Sequence, residues 1–169
     1  AMLGEIEKYV TENRVVGLHE LRDCATAYFY IWLEDMDKVP AWFGNMMTGP
    51  ETTPISIARK QLTSAYYLKG KGEDAKAYAV LLHLESLMVD NGRWVERFCL
   101  YALKAQCLIK DKQPELFAEI FRKMYDMAYG NNLKYLLSCY AREMMTILDY
   151  LKKLDTSGYD MAWLEAVYE

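Results

Sequence analysis

Histidine is nearly missing from this sequence: His19 and His83 are the two in 169 residues. Serine and cysteine hydrolases usually take histidine as the base that activates the nucleophile. Neither histidine lies in a nucleophile elbow or beside a cysteine, so both are read as structural or surface residues and the chain as no enzyme. Paired cysteines are missing too. Cys24, Cys99, Cys107 and Cys139 stand far apart in apolar stretches, with no CxxC and no Cys/His group of zinc spacing. They read as buried small hydrophobes in a reducing cytoplasm, with no metal. An excess of positive charge is also lacking, with 20 basic against 24 acidic residues. That argues against direct binding of nucleic acid, which needs a basic surface to neutralise phosphate. No apolar run reaches the roughly 18 residues that a membrane span requires.

Glycine-rich phosphate cradles are equally hard to find. Lys69-Gly70-Lys71-Gly72 has the composition, but no strand precedes it and no Lys-Ser/Thr follows the second glycine. It reads as a basic helix end with a turn. Carboxylates such as Glu5/Glu7, Glu34/Asp35/Asp37 and Glu73/Asp74 fall at helix ends and on polar faces, where solvation and the helix dipole account for them. No cofactor is expected. Ala1-Met2 is compatible with the scar of an expression tag, in which case the sequence starts inside a larger protein.

What is present is apolar spacing at three and four residues, in a chain that is 53% hydrophobic. The pattern predicts an all-α fold in a single domain spanning 1–169. Helices are expected at Leu3–Glu12, Leu18–Glu34, Ala41–Met46, Ile55–Lys69, Glu73–Val89, Arg93–Lys110, Pro114–Tyr129 and Leu133–Leu154, with a short terminal turn or helix at Asp160–Tyr168. In the second of these Leu21, Cys24, Ala25, Tyr28, Ile31 and Trp32 share a side. In Pro114–Tyr129, Leu116, Phe117, Ile120, Phe121, Met124, Met127 and Ala128 form an apolar face against Glu115, Glu119, Arg122, Lys123 and Asp126. Arg93–Lys110 is apolar almost all round and should be covered on several sides. Ala65 precedes Ala105 by forty positions, and the turn at Gly70–Gly72 precedes Lys110–Lys112 by the same interval. A helix–turn–helix unit returning at that period predicts an α-solenoid of antiparallel helix pairs, tetratricopeptide-like but longer in repeat.

Fourteen tyrosines and four tryptophans make a second surplus. Tyr66, Tyr67, Tyr101, Tyr135 and Tyr140 fall on the inner helices of the expected pairs, which line the concave groove of a solenoid. Arg59, Arg97, Gln106 and Arg142 could add hydrogen bonds there. The competing reading is that the rings simply fill the space between helices. The expected groove set is therefore Arg59, Tyr66, Tyr67, Arg97, Tyr101, Gln106 and Arg142.

Two segments carry a family likeness. Tyr30–Phe43, with Val39-Pro40-Ala41-Trp42-Phe43 at its end, resembles a passage of MalT-like, LuxR-type transcriptional regulators. There a polar turn leads into an Ile/Val-Pro-x-Trp-Leu/Phe motif. Ser157–Glu165, with Gly158, Trp163 and Leu164, resembles the Gly-Ile-x-x-x-Trp-Leu linker that closes their helical repeats before the DNA-binding domain. Lys112 stands where many relatives have a turn glycine, and Asn131-Asn132-Leu133 replaces a Gly-Tyr passage. The resemblance implies a sensor region that binds a small-molecule effector or a protein, with residues 157–169 leading toward a helix-turn-helix outside this sequence. DNA would be contacted only through that domain. A free-standing adaptor that binds a protein or peptide is the alternative.

Overall fold

A computed structural model describes residues 4, 5, 8, 9, 12, 18–40, 43, 54–88 and 93–165, with backbone alone at 18–21 and 54–56. The described residues are helical or lie in turns, with no strand among them. The helices are α1 (Leu18–Trp32), α2 (Pro54–Gly70), α3 (Asp74–Leu87), α4 (Trp94–Lys110), α5 (Pro114–Gly130), α6 (Tyr135–Cys139), α7 (Ala141–Leu151) and α8 (Met161–Glu165). A 3-10 turn at Met36–Lys38, which the sequence did not signal, follows α1. Of the helix expected at Ala41–Met46, Phe43 alone lies within the described residues; residue 89, the expected end of the Glu73–Val89 helix, and residues 166–168 lie outside them. The chain divides into two compact units, Ala1–Leu87 and Met88–Glu169.

Each unit holds one long hairpin, α2–α3 in the first and α4–α5 in the second. Their turns are built alike at an interval of forty residues. Gly72 N–H donates to the Lys69 carbonyl at 2.9 Å and Glu73 N–H to Leu68 at 2.9 Å. Lys112 N–H donates to Ile109 at 3.2 Å and Gln113 N–H to Leu108 at 3.0 Å. This is the Schellman closure, which satisfies helix-end carbonyls by turning one residue into the left-handed region. The left-handed residues are Gly72 (φ 79) and Lys112 (φ 55). The same bonds close α1 through Glu34 (φ 60) and α5 through Asn132 (φ 53). The Lys69–Gly72 stretch is thus a turn, as its chemistry led one to expect.

Glycine adopts this backbone without the Cβ clash that lysine carries. Lys112→Gly is therefore expected to stabilise the chain by roughly 0.5–1 kcal/mol, and Gly72→Ala to destabilise it by about 1 kcal/mol. Urea unfolding midpoints check both signs, and a loss of stability in Lys112→Gly would contradict this account of the turn.

The hairpins bury equivalent positions. Ala65, Leu68, Ala77, Leu81 and Leu84 in the first match Ala105, Leu108, Phe117, Phe121 and Met124 in the second, and all ten are buried. The inner helices differ in polarity. On α2, Lys60, Gln61, Thr63 and Ser64 are all buried; Thr63 donates its hydroxyl to the Arg59 carbonyl at 2.8 Å, and Ser64 donates to the Phe43 carbonyl. On α4 the positions matching Lys60 and Thr63 are Leu100 and Leu103. Helix α4 packs against both α5 and α7, which explains why nine of its residues are buried.

Four sequence expectations need correction. The helix expected over Leu133–Leu154 is broken: Tyr140 leaves helical geometry (φ −119, ψ 33) between α6 and α7. Its ring sits 5.7 Å from that of Phe98 and its side chain hydrogen-bonds Cys99, so packing on α4 outweighs local helical preference. Among the described side chains of α1, from Arg22 on, Cys24, Ala27 and Ile31 are buried, while Ala25 and Tyr28 are exposed and Trp32 is 63% exposed; Leu21 lies outside them. The buried stripe is thus rotated from the one that the aromatics indicated. On α5 Leu116 is exposed and Tyr125 is buried in its place.

Finally, Cys139 is exposed while Cys24, Cys99 and Cys107 are buried. Burial pushes the Cys99 thiol up to about 12. Native-state alkylation followed by mass spectrometry should therefore label Cys139 first, with the other three reacting only on unfolding.

Candidate functional site

The seven residues expected to line a groove fall in both units. In the first unit, Arg59 is exposed on α2. Tyr66 and Tyr67 are half-buried and pack on the cluster of Cys24, Ala27, Ile31, Val39 and Phe43. The Tyr66 ring meets Tyr28 edge-on at 5.3 Å, and the Lys71 ammonium lies 5.8 Å from the Tyr67 ring centre. In the second unit, Tyr101 is half-buried and Arg142 is exposed on α7. Arg97 reaches the Met88 carbonyl at 3.4 Å, and Gln106 donates from Nε2 to the Glu143 carbonyl at 3.3 Å. Gln106 therefore ties α4 to α7. Of the other inner-helix tyrosines, Tyr135 is exposed and Tyr140 faces Phe98.

A row of packed aromatic rings lies elsewhere in the second unit, on α5. Phe117, Phe121, Tyr125 and Tyr129 follow one another at four-residue intervals, which places them in a row along one face of a helix. Their rings stack in succession: 5.9 Å between Phe117 and Phe121, 6.5 Å to Tyr125 and 5.0 Å to Tyr129. Tyr150 of α7 closes the Phe117 end edge-on at 4.8 Å.

Against the other end lies the segment Gly158–Glu165. Tyr159 meets the rings of Phe121 and Tyr125 edge-on, each at 5.0 Å. Trp163 meets Tyr129 at 5.3 Å and Tyr125 at 6.0 Å, both near perpendicular. Such edge-to-face pairs are worth about 0.5–1.5 kcal/mol each beyond simple burial.

Polar contacts fix the register. Arg122 donates from Nη1 to the Gly158 carbonyl at 2.9 Å, and its guanidinium lies 4.1 Å from the Tyr159 ring centre. A Cβ on Gly158 would meet the Arg122 Nη2 atom, the far end of a long side chain that can shift to make room. Asp160 donates its N–H to the Tyr125 hydroxyl at 2.9 Å, and its carboxylate accepts the Tyr129 hydroxyl at 3.3 Å. That carboxylate also accepts the Trp163 N–H at 3.0 Å and so caps α8. Sequence reasoning missed Tyr125, Tyr129 and the role of Arg122. The four-residue aromatic spacing was visible, but contacts to residues more than thirty positions away were not.

The Asp160 charge, and then its hydrogen bond, raise the Tyr129 hydroxyl above the ordinary tyrosine value of 10.0. Burial raises Tyr159 as well, with Arg122 acting against the shift. A folded pKa above the unfolded one means that this stabilisation is complete below pH 10.0 and is lost as pH rises through the raised values. Asp160→Asn should bring the Tyr129 titration back toward the ordinary range, read from phenolate absorbance. An unchanged titration would show that Asp160 does not govern it.

Among the described residues no group of three or more His, Cys, Asp and Glu side chains is placed to hold a metal ion, and no helix is long and apolar enough to cross a membrane. No family model, curated protein or solved structure matches the chain.

Proposed function

We propose that this chain is a tetratricopeptide-like helical-repeat segment of a LuxR-type regulator, binding an effector or a protein and performing no chemistry of its own. The observation that carries this reading is the forty-residue recurrence of one hairpin, with the same turn hydrogen bonds and the same buried positions. Hairpins of this kind gain stability by stacking on their neighbours, and stacked arrays expose long surfaces suited to recognition. The likeness of Tyr30–Phe43 and Ser157–Glu165 to regulator motifs supplies the regulatory setting. An effector that binds one state of such an array better than another shifts the balance between them.

Intact mass and sequence of the natural gene product test the setting. A nucleotide-binding domain before residue 1 and a helix-turn-helix after residue 169 support the regulator. A product ending shortly after residue 169 sinks it.

A free-standing adaptor is the second reading, and one observation favours it. The aromatic row on α5 already holds an extended-to-helical stretch of chain through contacts of the kind used to read peptides. Exposed Tyr and Trp edges with a polar handle serve that purpose well.

A further inference from the structure

We propose that the aromatic face of α5 is a peptide-recognition surface that the chain keeps closed with its own Gly158–Glu165 segment, which opens as a separate unit. This holds whether or not the chain belongs to a regulator, because it depends on contacts within the second unit alone.

The face reads its occupant position by position. At the first position a backbone carbonyl is taken by Arg122 at 2.9 Å. An aromatic ring follows, with the Arg122 guanidinium 4.1 Å from its centre and the rings of Phe121 and Tyr125 near perpendicular to it at 5.0 Å. The third position is acidic: its N–H is taken by the Tyr125 hydroxyl and its carboxylate by the Tyr129 hydroxyl. The same carboxylate caps one helical turn, which delivers a second aromatic ring to Tyr129 three residues later. The ligand class is therefore a peptide of the form aromatic–aspartate–x–x–aromatic.

The resident segment is suited to leaving. Helix α8 has five residues, well below the length at which a helix sustains itself in water. Leu164 is its one fully buried residue; Tyr159 and Trp163 are half-buried, and Gly158, Asp160, Ala162 and Glu165 are exposed. The Lys152–Glu165 ion pair at 3.0 Å is largely solvated and adds little. Sub-global opening of this sort is expected of elements with few buried contacts. Once open, Phe121 and Tyr125, both buried in the closed state, become the floor of the surface.

The test uses the full chain and a fluorescent peptide spanning Asp155–Glu165. In the variant Tyr159→Ala/Trp163→Ala/Leu164→Ala the resident segment loses its anchors while the α5 face is intact. Saturable binding is expected there, at least about ten-fold tighter than to the unaltered chain, where the tethered segment competes at an effective concentration on the order of millimolar. Adding Arg122→Ala should weaken binding about ten-fold, as loss of a charge-assisted hydrogen bond with its cation–π contact implies. No binding at millimolar peptide, or equal binding after Arg122→Ala, overturns the proposal. Hydrogen exchange on the unaltered chain gives an independent reading. The Asp160 and Trp163 amides should exchange faster than that of Met124 within α5. Exchange of all three through one global event would make the segment an ordinary part of the helical stack and overturn its role as a releasable strap.

Discussion

Phe121→Ala is expected to destabilise the chain by about 3–5 kcal/mol, the range for truncating a fully buried phenylalanine. The ring has 0% exposure and touches Phe117, Tyr125 and Tyr159. Its removal deletes apolar burial, leaves a cavity between α5 and the Gly158–Glu165 segment, and breaks the aromatic row at its middle. Relaxation is restricted because the neighbouring rings are held from the other side by Tyr150 and by the Asp160 hydrogen bond. Denaturant unfolding followed by circular dichroism gives the change. A loss below about 1 kcal/mol would mean that the site collapses freely and that the row is not a packed structure.

The matching position in the first hairpin makes the second large prediction. Leu81 lies forty residues before Phe121, is 0% exposed and shares the buried stripe of Ala77 and Leu84. Leu81→Ala should cost about 2–5 kcal/mol, with the exact value set by how far α2 and α3 can close the gap. Leu82, its neighbour, is 47% exposed, and Leu82→Ala should change stability by no more than about 0.5 kcal/mol. The pair is informative because composition and chain position are nearly identical, so the difference isolates which face of α3 is inside. Similar losses in both would place the hairpin's core incorrectly.

The all-helical class and most helix bounds were legible in the sequence because apolar spacing is a local signal and short polar turns interrupt it. The interval of forty was legible at Ala65/Ala105 and at the two turns for the same reason. What escaped detection depends on contacts at a distance. The break at Tyr140 has no proline or glycine to announce it; it arises from Phe98 and Cys99 on another helix. Left-handed turn residues were readable at Gly72 and in the Asn131-Asn132 stop, but not at Glu34 or Lys112, where the helix-end hydrogen bonds impose a conformation the residue type does not advertise. Trp32 illustrates the limit of hydrophobicity itself, since a large ring on an apolar-looking side proves to be exposed.

The site was legible only in part. Counting tyrosines pointed to recognition surfaces but could not tell a packed ring from a presented one. Tyr66 and Tyr67 pack on the Cys24–Phe43 cluster, and Gln106 bonds a carbonyl of α7. Phe117 and Phe121 were assigned to the apolar face of α5, whereas Tyr125 and Tyr129 gained their roles from Tyr159, Asp160 and Trp163, whose docking no periodicity encodes.

Thermal unfolding of the purified chain across a panel of sugars, amino acids, aromatic acids and short peptides tests the claim of a binding module most directly. A ligand of the native state must raise the melting temperature with dose by mass action, and the account predicts such a shift for at least one class of compound. A flat response to every class at saturating concentrations would contradict a sensing or peptide-binding role and leave a purely structural array.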